Sequence, residues 1–419
     1  MRPKPVVPES EDLLRSRLDQ QINMRHALVR LAGLIDWVEI ERAFTEPFTS
    51  GRGRPALAPR LIAGLLYLQT EAPIDLSSLT RWRRRIGEEG VETLLMATIE
   101  SARRGDVVKG SSVDRVIVDT TVMPKALAHP TDSRLMEKSR RHLVKVAQEH
   151  GIALRQNYNH TAPRLAAQIG RYAHAKQFKR MRKAVRALRT RVGRVQREVA
   201  RQLATLPEQA RDKVNELLAR TGRILTQKTK DKNKRYALHA PEVECISKGK
   251  ARTPCEFGVK VSIATTWREG LVVGMRSMPG NPYDGHTLEE TLEQVAILAE
   301  RKPTTAIVDK GYRGVDIEGV LILRSSQKRG ITQTLKAMIH RRSAIEPAIG
   351  HMKMEGRLDR NPLKGALGDS LHAVMCGAGH NMRLILAKLR LLAARFALAL
   401  RVLLTAFVPS PARTQLAHA

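Results

Sequence analysis

The sequence predicts an α/β fold in which helices precede a sheet of short strands and a basic helical hairpin is inserted into that sheet. Three observations carry the prediction. Short β-branched runs recur at Arg115–Asp119 (RVIVD), Val259–Thr265, Leu271–Met278 and Thr304–Asp309, and read as strands of one sheet. Residues 57–104 place apolar side chains at helical spacing. Between the first strand and the second, the chain from about 135 to 235 is helical in period and strongly basic.

The helical region reads as three short helices, carried by Leu61, Leu65 and Leu68, then Leu79, Trp82 and Ile86, then Val91, Leu94, Leu95 and Ile99. Ala72, Pro73 and Ile74 break the first from the second, and Asp75 is placed to cap the second. Arg81, Arg83, Arg84 and Arg85 surround Trp82 and form either a solvated helix face or a set of phosphate contacts. In the insertion, Phe178, Met181, Val185, Leu188, Val192, Val195 and Val199 keep a 3,4 alternation. Leu206, Pro207 and Glu208 make a turn, and Val214, Leu217, Leu218, Ile224 and Leu225 supply the apolar stripe of a second arm. The outer face of the first arm runs from Arg171 to Arg201 and includes Arg182, Lys183, Arg186 and Arg189, with Glu198 the only nearby acid. Such a one-sign face repels itself unless a polyanion covers it, which favours contact with DNA phosphates over a purely structural arm.

Charge narrows the function further. A formal net charge of +32 and a pI near 10.8 exceed what solubility requires and imply a polyanionic partner. The most apolar stretch, Leu391–Val408, is interrupted by Arg395 and Arg401 and falls short of a membrane span, so it reads as a buried or partner-binding helix. Met1–Asp12 is rich in Pro and charge rather than leader-like, and the expectation is a cytoplasmic protein. Cys245, Cys255 and Cys376 lack C-x-x-C spacing, which argues against a disulfide framework and a structural zinc site.

The chemistry-bearing residues are acids at strand ends. Asp119 ends one strand (VIVDTT) and Asp309 another (AIVDKGYRG), where Gly311 and Gly314 permit a sharp turn. On neighbouring strands the two carboxylates would repel unless a cation lay between them, and Mg²⁺ suits such hard oxygen donors. A third acid lies in RRSAIEPAIGHMK, where Arg342, Glu346 and Lys353 are spaced by four and seven residues, placing Glu346 and Lys353 on one helix face. Pro347 should start or kink that helix, which makes the placement of Arg342 less direct. Singly, each acid could be a turn cap or a surface ion pair; the combination points to a metal site.

The series GRGRPALAPRLIAGLLYLQ, SLTRWRRRIGEEG, VDTTVMPKALAHPTDSRL, GRYAHAKQFKRMRK, DKNKRYALHAPEVECISKGK, GNPYDGHTLEETL, VDKGYRG, RRSAIEPAIGHMKMEGRL and KGALGDSLHAVMCGAGHNMR resembles the DDE transposases of bacterial insertion sequences, in particular their InsH-like branch. The resemblance implies a ribonuclease H-like mixed sheet, with Asp119, Asp309 and Glu346 as catalytic, metal-binding acids. It implies two Mg²⁺ ions, with Mn²⁺ as a substitute, cutting at terminal inverted repeats and joining of 3′ ends to target DNA. Arg342 and Lys353 would hold phosphates of the element end. Partners would be double-stranded DNA and a second copy of the chain, and the protein would associate with the nucleoid. Two departures stand out: Ile339 occupies the place of a signature Tyr, and relatives carry extra helical sequence, including a Trp-rich stretch, between the positions of Gln69 and Ala72. The expected division is an N-terminal, shortened DNA-binding domain at 1–110, a catalytic core split into 111–134 and 236–390, the hairpin at 135–235, and a C-terminal helix and tail at 391–419. A decayed, noncatalytic DNA-binding copy and a metal-dependent nuclease on the same fold are the alternatives.

Overall fold

The computed structural model describes residues 23–45, 58–67, 76–228, 231, 234–247, 254–325, 327 and 330–406. The shortened stretch expected between Gln69 and Ala72 lies outside them. Among the described residues six strands form one sheet: β1 Arg115–Pro124, β2 Glu244–Ser247, β3 Cys255–Thr266, β4 Val272–Met278, β5 Thr305–Val308 and β6 Leu321–Arg324. Along the sheet the order is β2-β3-β1-β5-β6, and β4 pairs with β3 beyond the end of β2. The β1, β2, β3 and β4 pairings are antiparallel, whereas β1 with β5 and β5 with β6 are parallel. This mixed α/β sheet is consistent with the ribonuclease H-like architecture that the resemblance implies. The four-residue β2 and β6 were not among the expected strands, and β1 runs five residues past Asp119, to Pro124.

Helices α1 Ala27–Leu34, α2 Trp37–Thr45, α3 Pro59–Tyr67 and α4 Leu76–Arg104 precede the sheet. The second and third expected helices follow one another in α4, which is two helical segments meeting at a break at Gly87, where φ is +65° and ψ −162°. A glycine meets that backbone at no steric cost, which is why the chain breaks and turns within RRRIGEEG. Ile40, Phe44, Ile62, Leu94, Leu95 and Ile99 are buried in the same apolar core as Val116 and Ile117 of β1 and Ile307 of β5. The N-terminal helices therefore share the core of the sheet. The last helix, α12 Gly365–Ala406, continues unbroken across the expected boundary at 390/391, and Leu391, Leu392 and Leu398 on it are exposed. Among the described residues no helix is long and apolar enough to cross a membrane. The cysteines are free thiols, Cys376 buried.

The described residues of the insertion hold four α-helices where the sequence predicts the two arms of a hairpin: α5 Asp132–Glu149, α6 Thr161–His174, α7 Phe178–Arg201 and α8 Glu208–Thr226. The expected arms are α7 and α8. Leu188, Val192, Val195 and Val199 of the α7 stripe are fully buried against α5, α6 and α8, whereas Phe178 at its start is exposed. Burial at about 1.5–3 kcal/mol for each such side chain explains how so basic a unit holds together, in two clusters separate from the core of the sheet.

Candidate active site

The sheet brings its acids to one edge. Ile117 of β1 lies beside Ile307 of β5 in parallel register, and continuing that register sets Asp309 level with Asp119 on the neighbouring strand. Asp119 accepts a hydrogen bond on Oδ1 from its neighbour Thr120 N at 2.9 Å. Asp309 Oδ1 accepts from Gly311 N at 2.6 Å, and a Cβ at Gly311 would lie only 2.8 Å from that oxygen. The DKG turn therefore needs glycine for close approach.

Helix α9 Leu288–Leu298 lies between β4 and β5, and after β6 come α10 Gln333–His340, a 3-10 turn at Arg341–Ala344 and α11 Ile345–Met354. Pro347 sits in the first turn of α11, where its missing N–H forfeits no helical hydrogen bond, so the helix starts before it without a kink. Arg342 Nη2 donates to Asp119 Oδ2 at 2.6 Å and its Nη1 to Glu346 Oε1 at 3.2 Å. One guanidinium thus spans two of the three expected acids. The Arg342 side chain is only 18% exposed, so here it faces the carboxylates, where the sequence reading assigned it to DNA phosphate. Glu346 remains largely exposed, at 63%, and among the described residues no group of three or more His, Cys, Asp and Glu is spaced to hold a metal ion. The donor chemistry nevertheless fits a divalent cation: the oxygens are hard, and a positive group already lies between Asp119 and Glu346. Lys353 is half-buried near the end of α11, and Ile339 packs partly buried against the core of the sheet.

One acid at this edge escaped the sequence reading. Asp284, in the loop GNPYDG after β4, accepts on Oδ1 from Thr120 Oγ1 at 2.9 Å and from Lys260 Nζ at 2.8 Å. Its Oδ2 would stand 3.3 Å from a Cβ at Gly311. Tyr312, fully buried, has its hydroxyl held well above the usual tyrosine pKa, first by burial and then by the charges of Asp119 and Asp284, with Asp309 adding less. A signal existed in the sequence: Asp284 lies in a Gly-flanked loop after a strand, much as Asp309 does.

The expected DNA-binding arginines separate into two groups. Arg182, Arg186 and Arg189 line one wall of a groove of about 1130 Å³, with Arg134 and Lys228 also at its rim and Ala166, Ile169, Met181 and Val185 in its floor. Lys183 is exposed on the same helix. Arg81, Arg83 and Arg84 lie in α4 before its break. Arg83 is half-buried, and burial lowers its pKa below the usual arginine value. The side chains of Arg81 and Arg84 lie outside the described residues.

Comparison with known proteins agrees with this architecture. A transposase domain family (DUF772) matches residues 16–74, and a transposase DDE domain family matches residues 222–382, which include Asp284, Asp309 and Glu346 but not Asp119. The chain is 46% identical over 208 residues to a Rhizobium meliloti protein, "Uncharacterized protein ORF8 in nfe locus", a match covering 42% of this chain and the whole of that relative. No solved structure matches. With Asp119 in β1, Asp309 just after the neighbouring β5, and two transposase families matched in order along its length, the chain belongs to the DDE transposases of insertion sequences.

Proposed function

We propose that this transposase nicks DNA at the terminal inverted repeats of its element and joins the freed 3′ ends to target DNA, with Asp119, Asp309 and Glu346 as the catalytic acids. The observation that carries the reading is the parallel register of β1 and β5, which if continued sets Asp309 level with Asp119, together with Arg342 linking Asp119 to Glu346. These three acids would hold Mg²⁺ or Mn²⁺, which when bound activates a water or a DNA 3′-hydroxyl and stabilises the leaving oxygen. Asp119 is fixed by its hydrogen bond from Thr120, and Asp309 by its tight turn, so both carboxylates are oriented before DNA arrives. Glu346, exposed at the start of α11, reaches the edge from outside. Lys353 adds positive charge for the phosphates of the element end. Two copies of the chain would hold the two ends together.

The test is incubation of the purified protein with DNA bearing the element ends and Mg²⁺ or Mn²⁺. Metal-dependent nicks at the ends followed by joined products are expected. Nicks without joining would favour a nuclease on the same fold, and binding without either would favour a noncatalytic copy.

The insertion supplies affinity in this proposal. Because β1 continues past Asp119 to Pro124 before the insertion begins, the four helices are attached on the side of the sheet that carries the acids. Neutralising Arg182, Lys183, Arg186 and Arg189 together should weaken binding to all duplexes alike and flatten its salt dependence by about 0.9 in logarithmic slope for each phosphate no longer neutralised. Binding titrations between low and moderate salt measure this, and an unchanged slope would remove the insertion from the DNA interface.

A further inference from the structure

The loop carrying Asp284 and the turn carrying Asp309 interlock. Tyr283 donates its hydroxyl proton to Arg313 O at 3.3 Å and accepts from Arg313 N at 3.1 Å. Gly285 packs so closely on Val315 that a Cβ there would lie 2.5 Å from its Cγ2. At Gly311 the two acids flank the same turn, since a Cβ there would lie 2.8 Å from Asp309 Oδ1 and 3.3 Å from Asp284 Oδ2. Asp284 is also tied to the other side of the site, because Thr120, which donates to its Oδ1, is the residue whose backbone N–H holds Asp119.

The two oxygens of Asp284 have different surroundings. Oδ1 takes the hydrogen bonds from Thr120 and from Lys260, and Lys260 Nζ is fixed in turn by Pro282 O at 2.6 Å. Oδ2 faces the Asp309 turn. Beneath this edge lies the fully buried Tyr312, whose hydroxyl makes no hydrogen bond of good geometry. Pairing with Lys260 alone does not account for the second oxygen of Asp284 turning toward the turn that carries Asp309, since like charges repel. The arrangement makes sense if a cation shares that space.

We propose that Asp284 is a fourth carboxylate of the active edge, a positioning residue that locks the turn presenting Asp309 and lends its free oxygen to the outer coordination of the divalent cation. This rests on the metal-site reading above, and the experiment separates the two. Asp284→Asn keeps an oxygen to accept from Lys260 and Thr120 while removing the charge. Binding of Mn²⁺ alone to the full-length protein, without DNA, is measured by calorimetry for the wild type, Asp284→Asn, Asp119→Asn and Asp309→Asn. Loss of an outer-sphere partner should weaken Mn²⁺ binding by about 10–100-fold in Asp284→Asn, with far-UV circular dichroism unaltered at the temperature of the titration. Wild-type affinity in Asp284→Asn alongside lost affinity in Asp119→Asn and Asp309→Asn would overturn the role of Asp284 and leave the metal site standing. Wild-type affinity in all three would overturn both. Should Asp284→Asn fail to fold, the pair Lys260→Gln with Asp284→Asn removes both charges, leaves a hydrogen-bonded contact and is read by the same criterion.

Discussion

Asp119→Asn, Asp309→Asn and Glu346→Gln should each lower strand cutting and joining by on the order of a thousandfold or more, while DNA binding persists. Each substitution keeps the volume of the side chain and removes one anionic oxygen from a site whose chemistry depends on several acting together. Double substitutions should therefore cost scarcely more than single ones. The three differ in their effect on the resting protein. Asp119→Asn loses the charge opposite Arg342, a half-buried guanidinium, whereas Glu346→Gln alters a side chain that is mostly in water. Metal-free melting should accordingly fall more for Asp119→Asn than for Glu346→Gln, and equal melting points would show that the Arg342 bridge carries little stability. Cutting assays on end-bearing DNA, with gel-shift binding measured in parallel, decide the catalytic part. Persistent metal-dependent cutting in Glu346→Gln would move the third acid elsewhere on the helix, with Glu355 the next residue to test.

Lys125→Met should cost about 3–5 kcal/mol of stability, the range for removing one partner of a buried ion pair. Lys125 follows β1 and is almost wholly buried, paired with Asp369 of α12 and with Glu242 at 3.0 Å. Asn361 Nδ2 donates to Asp369 at 2.6 Å, and Glu242 Oε1 accepts from Gly365 N at 2.8 Å, so one cation ties together the end of β1, the return from the insertion and the first turns of α12. Burial pushes the Asp369 carboxyl up to about 6, against the pull of Lys125. The folded protein thus keeps this proton to about pH 6, whereas the unfolded chain releases it near the ordinary value of 3.8. Stability contributed by this group is greatest below that lower value and falls as pH rises through the window, by about 3 kcal/mol at most. Denaturant melts of wild type and Asp369→Asn across the window check the sign: the variant should lack this component, and identical pH profiles would refute it.

What the sequence disclosed and what it concealed follow from the range of the interactions. Asp119 and Asp309 were legible because each ends a β-branched run, a local pattern, and α7 was legible because Leu188 to Val199 repeat at helical spacing over many turns. The strands β2 and β6 are four residues each, too short to show alternation. In α6 the exposed positions Ala167, Gly170 and Ala173 blur the contrast between faces, so the helix disappeared into a generally basic stretch. Arg83 looked like a solvated cation beside Trp82, and only α12, which packs against α4 and brings Cys376 near it, explains its burial. Asp284 has no periodicity to mark it, and its partners Thr120 and Lys260 come from strands distant in sequence. Arg342 and Asp119 are 223 residues apart, a pairing no local rule could reveal.

Pro124 and Glu244 both lie beside Gly258, on its two opposite sides in the sheet. The chain therefore leaves the sheet for its helical excursion and returns within two strand spacings, roughly 10 Å. Between those points the excursion closes on its own apolar clusters, so lengthening, trimming or exchanging it strains no strand. A bridge of about three extended residues is long enough to join the two points directly. Evolution can then retune the reach and grip of the basic helices as a cassette, while the acids across the sheet keep their registration.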